Sequence, residues 1–439
     1  MALKSLLPDN RPEGGVPLVV DLDGTLIRGD LVIEAALAVL AADFRAGLRT
    51  LLHLARGPAG LAAILADPAA VEAGFSPFDA EALARIRAAR AQGRPVYLAS
   101  AGDRARAEAV ARHLGQFDGV VAPDQLAAEL GPGSCERLDP GSAPAAAPAA
   151  GLRDYVRALR VHQWLKNLLI FVPALAAHEP SVGTWATLVV AFACFSLCAS
   201  SVYVLNDLCD LRNDREHPTK RRRPFASGAI PLRRGLVMAP VLLLAAMAWA
   251  LTVSGAFALV LGTYYALTLA YSLKLKRVMM LDVVTLAGLY GIRVLAGGIA
   301  VSIELSHWLV GFAVFLFLCL ALVKRATELV AKGAAGQEVL AGRAYAAPDL
   351  PVVEAMAAAA GFVAVLVLAL YVNSAEVRAL YASPSILWAA CVVLIYWIGR
   401  ILLLTHRGQM HDDPVVFAVT DRVSLSCGAA MAVIALAGL

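Results

Sequence analysis

The sequence predicts an all-α polytopic membrane bundle of about nine transmembrane helices, preceded by a cytosolic α/β domain. Three observations lead there. Of 439 residues, 59% are hydrophobic and 16% charged, with a mean hydropathy of +0.69; soluble domains are about half apolar and about a quarter charged. The bias is uneven, because charges recur every few positions up to about residue 160 and apolar runs of about 18 to 22 residues follow. That is the length a helix needs to cross about 30 Å of hydrocarbon. Finally, Lys/Arg clusters occupy alternate loops, at 212–234, 274–277, 324–343 and 400–407, whereas the loops between them hold one arginine in all.

Nine runs carry the bundle: roughly 165–178, 183–205, 234–254, 256–273, 281–301, 306–324, 352–373, 385–404 and 415–437. The first is short and contains Pro173. The positive-inside rule places the basic loops and the N-terminal domain in the cytosol, the C-terminus outside, and the protein in the cytoplasmic (inner) membrane. No cleaved signal peptide is expected from MALKSLLPDNRPEGG. The seven cysteines show no metal spacing and read as buried thiols, and the eight histidines show no zinc-type pairing. Nothing points to a nucleic-acid partner, and the oligomeric state is not legible. The domain boundaries read as 1–148 and 149–439.

In the front domain, VPLVVDLDGTLIRGD is a short β-run leading into Asp21 and Asp23. Two carboxylates at i and i+2 after a buried strand share one loop and can face one ligand. A second strand, RPVYLAS, ends at Ser100 before an arginine-rich helix. Together these resemble the haloacid-dehalogenase (HAD) superfamily, whose phosphatases attack with the first aspartate, protonate with the second, and bind the phosphoryl group with a Ser or Thr. The resemblance covers about residues 16 to 120. It implies a later lysine and a Mg²⁺-binding acid pair, yet no lysine occurs between Lys4 and Lys166, and 117–150 reads as a Pro/Ala/Gly/Ser linker. A truncated, inactive HAD-like (Rossmannoid) domain is expected. Between the two motifs, Arg45, Arg49, His53 and Arg56 share one face of an apolar helix, as on a membrane-docking or solvated cap helix.

The chemistry concentrates after the second run, in NDLCDLRNDREHPTKRRRPFASG. On a continuing helix Asp207, Asp210 and Asp214 fall on one face. Three such carboxylates repel unless a cation sits among them, and hard oxygen ligands suit Mg²⁺. Lys220, Arg221, Arg222 and Arg223 then suit the charge of a diphosphate. A second site is expected in YSLKLKRVMMLD, with Tyr271, Lys274 and Asp282. Arg293 lies inside an apolar run, where it needs a partner or an anionic ligand. Asp412 and Asp413 read as loop acids pairing with Arg407 and Arg422, with a metal-ligand role as the alternative.

The pattern N-D-x-x-D-x-x-x-D from Asn206 to Asp214, with Tyr271 to Asp282, resembles the UbiA superfamily of intramembrane prenyltransferases over residues 151–439. More narrowly, RVHQWLKN, DREHPTKRRRP, LVKRATEL and HRGQMHDDPVVFAVTDRVS resemble its decaprenyl-phosphate phosphoribosyltransferase branch. That resemblance implies Mg²⁺-dependent transfer of 5-phosphoribosyl from phosphoribosyl pyrophosphate to a polyprenyl phosphate. Asp207, Asp210 and Asp214 would hold the metal. Lys166, beside Asn167, would orient a phosphate, and Lys274, Lys324, Arg325 and Arg407 would bind the 5-phosphate or lipid head group. Two alternatives stay open: transfer of a prenyl group to an aromatic acceptor, and a non-enzymatic membrane transporter with a HAD-like regulatory domain.

Overall fold

The computed structural model describes residues 16–22, 25, 26, 33, 37, 78–100, 104–122, 135–138, 150–217, 219–334, 344–410 and 413–439. They fall into two compact units, one of 1–159 with 203–241, the other of 160–202 with 242–439. Asp23 and the Arg45–Arg56 face lie outside the described residues.

The first unit holds a four-stranded sheet. β1 (Leu18–Asp21), β2 (Val96–Ala99), β3 (Gly119–Val121) and β4 (Glu136–Leu138) pair in the order β3-β2-β1-β4, every pair parallel. Central strands of parallel sheets are buried on both faces and read as continuous apolar runs, as LVV and VYLA do. α1 (Ala80–Ala91) starts where Asp79 Oδ1 accepts the Glu81 and Ala82 N–H groups at 2.9 Å. With α2 (Arg104–Leu114) it packs Ile86 and Val110 against Leu18, Val20 and Leu98. β4 is a correction, because the segment expected as linker contributes a strand beside β1. Its three residues were too few to show alternation.

The same unit contains α3 (Leu152–Ala158) and the 203–241 segment, where Arg234 Nη1 donates to Tyr155 Oη at 2.7 Å. That segment takes in the end of α5 (Val182–Cys209), α6 (Leu211–Glu216) and the start of α7 (Leu232–Val253).

The second unit is helical. Counting α5 and α7, seven helices are long and apolar enough to cross a membrane. The others are α8 (Gly255–Leu273), α9 (Leu281–Ala300), α10 (His307–Ala334), α11 (Leu350–Val372) and, beyond the short α12 (Ala375–Leu380), α13 (Trp388–His406). The last predicted run is instead two helices, α14 (Pro414–Thr420) and α15 (Arg422–Gly438), bent by 74°. Asp421 makes the bend: it is extended, caps α15 by accepting the Ser424 N–H, and takes both Nη atoms of Arg400 at 2.7 and 3.2 Å. Counted as one broken span, the pair gives eight, so the described residues show seven or eight such spans rather than nine.

The first predicted run, 165–178, is different in kind. Val161–Phe171 is an 11-residue 3-10 helix followed by α4 (Val172–Ala176), with Pro173 in its first turn. At about 2.0 Å per 3-10 residue and 1.5 Å per α residue the two reach about 30 Å, comparable with a hydrocarbon core. The segment has the reach of a span without being a long helix. It lies so close to α9 that a Cβ on Gly297 would fall on the Ile170 carbonyl, 2.8 Å from its carbon. Gly297→Ala is therefore expected to cost about 1–3 kcal/mol by overpacking. Gly291→Ala on the same helix, where a Cβ meets nothing within 4 Å, should leave stability unchanged. Thermal unfolding in detergent compares them, and equal midpoints would sink the contact.

Candidate active site

Asp207 sits in the last turn of α5, the chain breaks at Asp210 (φ −94°, ψ 12°), and α6 carries Asp214. The helix expected to present all three aspartates on one face is thus interrupted at the middle one. Helical bonding still crosses the break: Asp210 N–H donates to Asn206 O at 2.8 Å and Asp214 N–H to Asp210 O at 2.9 Å. Asp207 and Asp214 consequently remain on one side, and a single atom joins them. Arg223 Nη1 donates to Asp207 Oδ1 at 3.1 Å and to Asp214 Oδ2 at 2.6 Å. Both aspartates are 2% exposed, whereas Asp210 and Asn206 are half-buried. Burial pushes the Asp214 carboxyl above the ordinary range; Arg223 opposes that and Asp210 adds to it.

Arg223 comes from a held loop. Phe225, Ala226 and Ile230 behind it are buried, and Arg215 Nε donates to Ala226 O at 3.3 Å. Lys220 and Arg221 are exposed. Among the described residues, no group of three or more His, Cys, Asp or Glu side chains is placed to hold a metal ion. The Asp207–Asp214 pair nonetheless fits Mg²⁺: two buried carboxylates already meet at one cationic nitrogen. The ion takes one or two carboxylates and completes its shell with water and phosphate oxygens.

In the second unit the 3-10 segment buries Lys166 and Asn167. Lys166 Nζ lies 2.5 Å from Asp413 Oδ2, and Lys324 Nζ lies 3.2 Å from the same oxygen. The other oxygen, Oδ1, accepts the Val415 and Val416 N–H groups and caps α14. Burial alone would raise the Asp413 carboxyl, but the charges of Lys324 and Lys166 hold it at about 2. The expected pairing of Asp413 with Arg407 and Arg422 is overturned, since both arginines are exposed and Asp413 serves two lysines instead. Asp412 lies outside the described residues.

Arg293 is buried on α9 and held by neutral groups. Its Nε donates to Asn167 Oδ1 at 2.8 Å, Nη2 to Tyr264 Oη at 2.9 Å, and Nη1 to the Leu289 carbonyl. The guanidinium also lies 4.8 Å from the Tyr264 ring centroid. Asn167 Nδ2 donates in turn to Ser196 Oγ at 3.0 Å.

Asp282 and Arg325, both fully buried, face each other: Nη2 to Oδ2 is 2.7 Å, an ion pair rather than an aligned hydrogen bond. Arg325 Nη1 also pairs with Glu328, and Tyr345 Oη donates to Asp282 Oδ1 at 2.8 Å. Burial and that bond push the Tyr345 hydroxyl up to about 12, so it stays a donor. The two residues expected to bind substrate are therefore each other's counter-ions. Consecutive residues of a helix point about 100° apart, which sends Lys324 to Asp413 and Arg325 to Asp282. Tyr271 is half-buried, and Lys274, at the end of α8, is exposed.

In the α/β part, Asp21 ends β1 and Ser100 follows β2, with Asp21 registered against Ala99. The parallel pairing therefore brings both motif residues to one sheet edge.

Residues 167–426 match the UbiA prenyltransferase family. The chain belongs to that family. An uncharacterized protein of Sinorhizobium fredii, y4nM, is 33% identical over 95% of this chain and 90% of its own. Nodulation protein NoeC of Azorhizobium caulinodans is 38% identical over 62% of this chain and 89% of its own. The decaprenyl-phosphate phosphoribosyltransferase of Mycobacterium tuberculosis is 38% identical over 42% of this chain and 62% of its own length. Among solved structures, a UbiA homolog from Archaeoglobus fulgidus bound to DMAPP and Mg²⁺ aligns with 65% of this chain and 98% of its own, at 16% identity and a TM-score of 0.49.

In this UbiA chain the partners that sequence reasoning missed are Tyr264, Ser196, Tyr345 and Asp413 in its lysine-binding role. Only Asp413 had a local signal, because an aspartate before a proline marks a helix start. Its link to Lys324 spans 89 residues and Arg293's link to Asn167 spans 126, distances that no window of sequence reports.

Proposed function

We propose that this UbiA protein transfers 5-phosphoribosyl from phosphoribosyl pyrophosphate to a polyprenyl phosphate, giving polyprenylphosphoryl-5-phosphoribose and pyrophosphate. The supporting observation is the buried charge balance of the second unit. Two lysine ammoniums share the Asp413 carboxylate, while the hydrogen bonds of the buried Arg293 guanidinium among the described residues go to neutral partners. Such a group has capacity for an anionic ligand, and the proposed reaction brings two of them, phosphoribosyl pyrophosphate and a lipid phosphate. The names of relatives that are 35–38% identical over 42–44% of this chain support the same substrates.

Asp207 and Asp214 are the residues that would hold Mg²⁺, with Asp210 close by; the ion would neutralise charge growing on the departing pyrophosphate. The lipid phosphate is an ionised nucleophile and needs no strong general base. Lys166 and Lys324 bind and orient a phosphate, and Arg293 fixes the Asn167 amide beside Lys166. Attack opposite the leaving group inverts the anomeric carbon through an oxocarbenium-like state. The α/β part reads as a HAD-like domain without turnover: it retains the Asp21–Ser100 edge, while the sequence offers no lysine between Lys4 and Lys166. The basic loops and the N-terminal part are assigned to the cytosolic face of the inner membrane.

The test is the purified full chain with Mg²⁺, polyprenyl phosphate and phosphoribosyl pyrophosphate, following pyrophosphate release and the mass of the lipid product. A lipid heavier by one phosphoribosyl group is expected. A product lighter by one phosphate would show a working phosphatase, and no product with phosphoribosyl pyrophosphate but turnover with a prenyl diphosphate and 4-hydroxybenzoate would replace the reading with aromatic prenyl transfer.

A further inference from the structure

Arg223 has a position that a substrate-binding arginine does not require. One of its nitrogens stands between Asp207 Oδ1 and Asp214 Oδ2, at 3.1 and 2.6 Å, where both buried carboxylates converge. A cation bound by the two carboxylates would claim that same space, and Mg²⁺ draws its oxygens in to about 2.0–2.1 Å. Guanidinium and metal cannot share it, and at that separation like charges repel strongly. The guanidinium is moreover suited to two ligands in turn, since its planar fork pairs with carboxylate and with phosphate alike. Its side chain is 27% exposed while the two carboxylates are nearly fully buried, so it has solvent to move into and they do not. Its backbone is fixed by the buried Phe225 and Ala226 that follow it, which leaves side-chain rotation as the means of exchange.

We propose that Arg223 is a resident counter-ion that occupies the metal position in the ligand-free protein and exchanges onto the diphosphate when the metal–diphosphate complex binds. The proposal rests on reading Asp207 and Asp214 as the metal ligands. It adds a specificity: bare divalent metal must displace Arg223 and receives nothing in return, whereas the metal–diphosphate complex gives the displaced guanidinium a new partner. Metal and diphosphate thus bind cooperatively, and the buried carboxylates keep a counter-charge between turnovers.

The test uses the full chain in detergent, with Mn²⁺ followed by its electron paramagnetic resonance signal and with ³²P-pyrophosphate retention measured at saturating Mn²⁺. Arg223→Gln is expected to bind Mn²⁺ alone about tenfold tighter than wild type, with the gain removed by adding Asp207→Asn, and to retain pyrophosphate more weakly. In wild type, phenylglyoxal labelling of Arg223, mapped by peptide mass, should rise with Mn²⁺ alone and fall when pyrophosphate is added. This second readout does not depend on the variant folding. If Arg223→Gln binds bare Mn²⁺ no tighter, or labelling does not respond to Mn²⁺, while wild type still retains Mn²⁺–pyrophosphate in an Asp207-dependent way, the counter-ion role is overturned and the metal site stands. If wild type shows no Asp207-dependent retention, both fall.

Discussion

Asp207→Asn is expected to lower transfer at least about a hundredfold, the scale of losing one preorganised electrostatic group at a developing charge. Asp214→Asn should match it. Each replacement keeps the shape of the side chain and removes one of two buried carboxylates that meet at Arg223. Asp210 provides the contrast. It sits at the break between α5 and α6 and is half-buried, so Asp210→Asn should cost far less, about tenfold or below on the same scale. Steady-state kinetics of the three variants, each checked for an unchanged unfolding midpoint, decides between a two-carboxylate and a three-carboxylate site. Equal losses for Asp207→Asn and Asp210→Asn would restore the symmetric trio that the sequence spacing implies.

That contrast also shows what spacing can convey. Positions 0, +3 and +7 fall on one face only while the helix continues, and the chain turns at Asp210. Hydrophobic length conveys more, because crossing a bilayer demands about 20 apolar residues in one run. α5, α7 to α11 and α13 are accordingly legible from composition alone. Reading failed where length and winding part company. The run at 165–178 is short as an α-helix yet wound in part as a 3-10 helix, and a hydropathy pattern does not distinguish rises of 1.5 and 2.0 Å per residue. The bend inside the final run is hidden for another reason: Asp421 looks like an ordinary polar interruption, and only Arg400, one helix earlier, shows why the chain bends there.

The charged residues of the site were legible as charges and not as partners. Lys166, Arg293, Lys324, Arg325 and Asp282 all stand out against apolar surroundings, where ionised groups are rare and costly. Which carboxylate meets which cation depends on helix packing. Lys324 and Arg325 are adjacent in sequence, and the helical turn sends them to Asp413 and Asp282 respectively. Asp413 is shared by two lysines, Arg325 has Asp282 and Glu328, and the charge of Glu328 also acts on Lys324. Under the proposed function phosphate recognition falls to Lys166 and Lys324, whereas Arg325 of α10 pairs with Asp282 of α9.

Arg325→Met should accordingly destabilise the protein by about 3–5 kcal/mol, the cost of leaving a buried charge without its partner. Asp282 would lose the guanidinium that faces it at 2.7 Å and keep the Tyr345 hydroxyl as a donor. Tyr345 is itself committed, since its oxygen also accepts the Met280 N–H at 3.0 Å and so steadies a residue held at φ +62° before α9. Asp282→Asn alone should be nearly as damaging, because Arg325 would lose the carboxylate that faces it at 2.7 Å and rely on Glu328. Combining Asp282→Asn with Arg325→Met removes both charges, so the double variant should unfold at a higher temperature than either single one. This is the signature of a pair whose members matter chiefly to each other. A direct substrate contact by Asp282 predicts the reverse: transfer lost in Asp282→Asn at an unchanged midpoint, and no rescue by the second substitution. Measuring unfolding midpoints and kcat/KM on the same four proteins separates the two, because only the structural pairing makes stability, rather than turnover, the quantity that recovers.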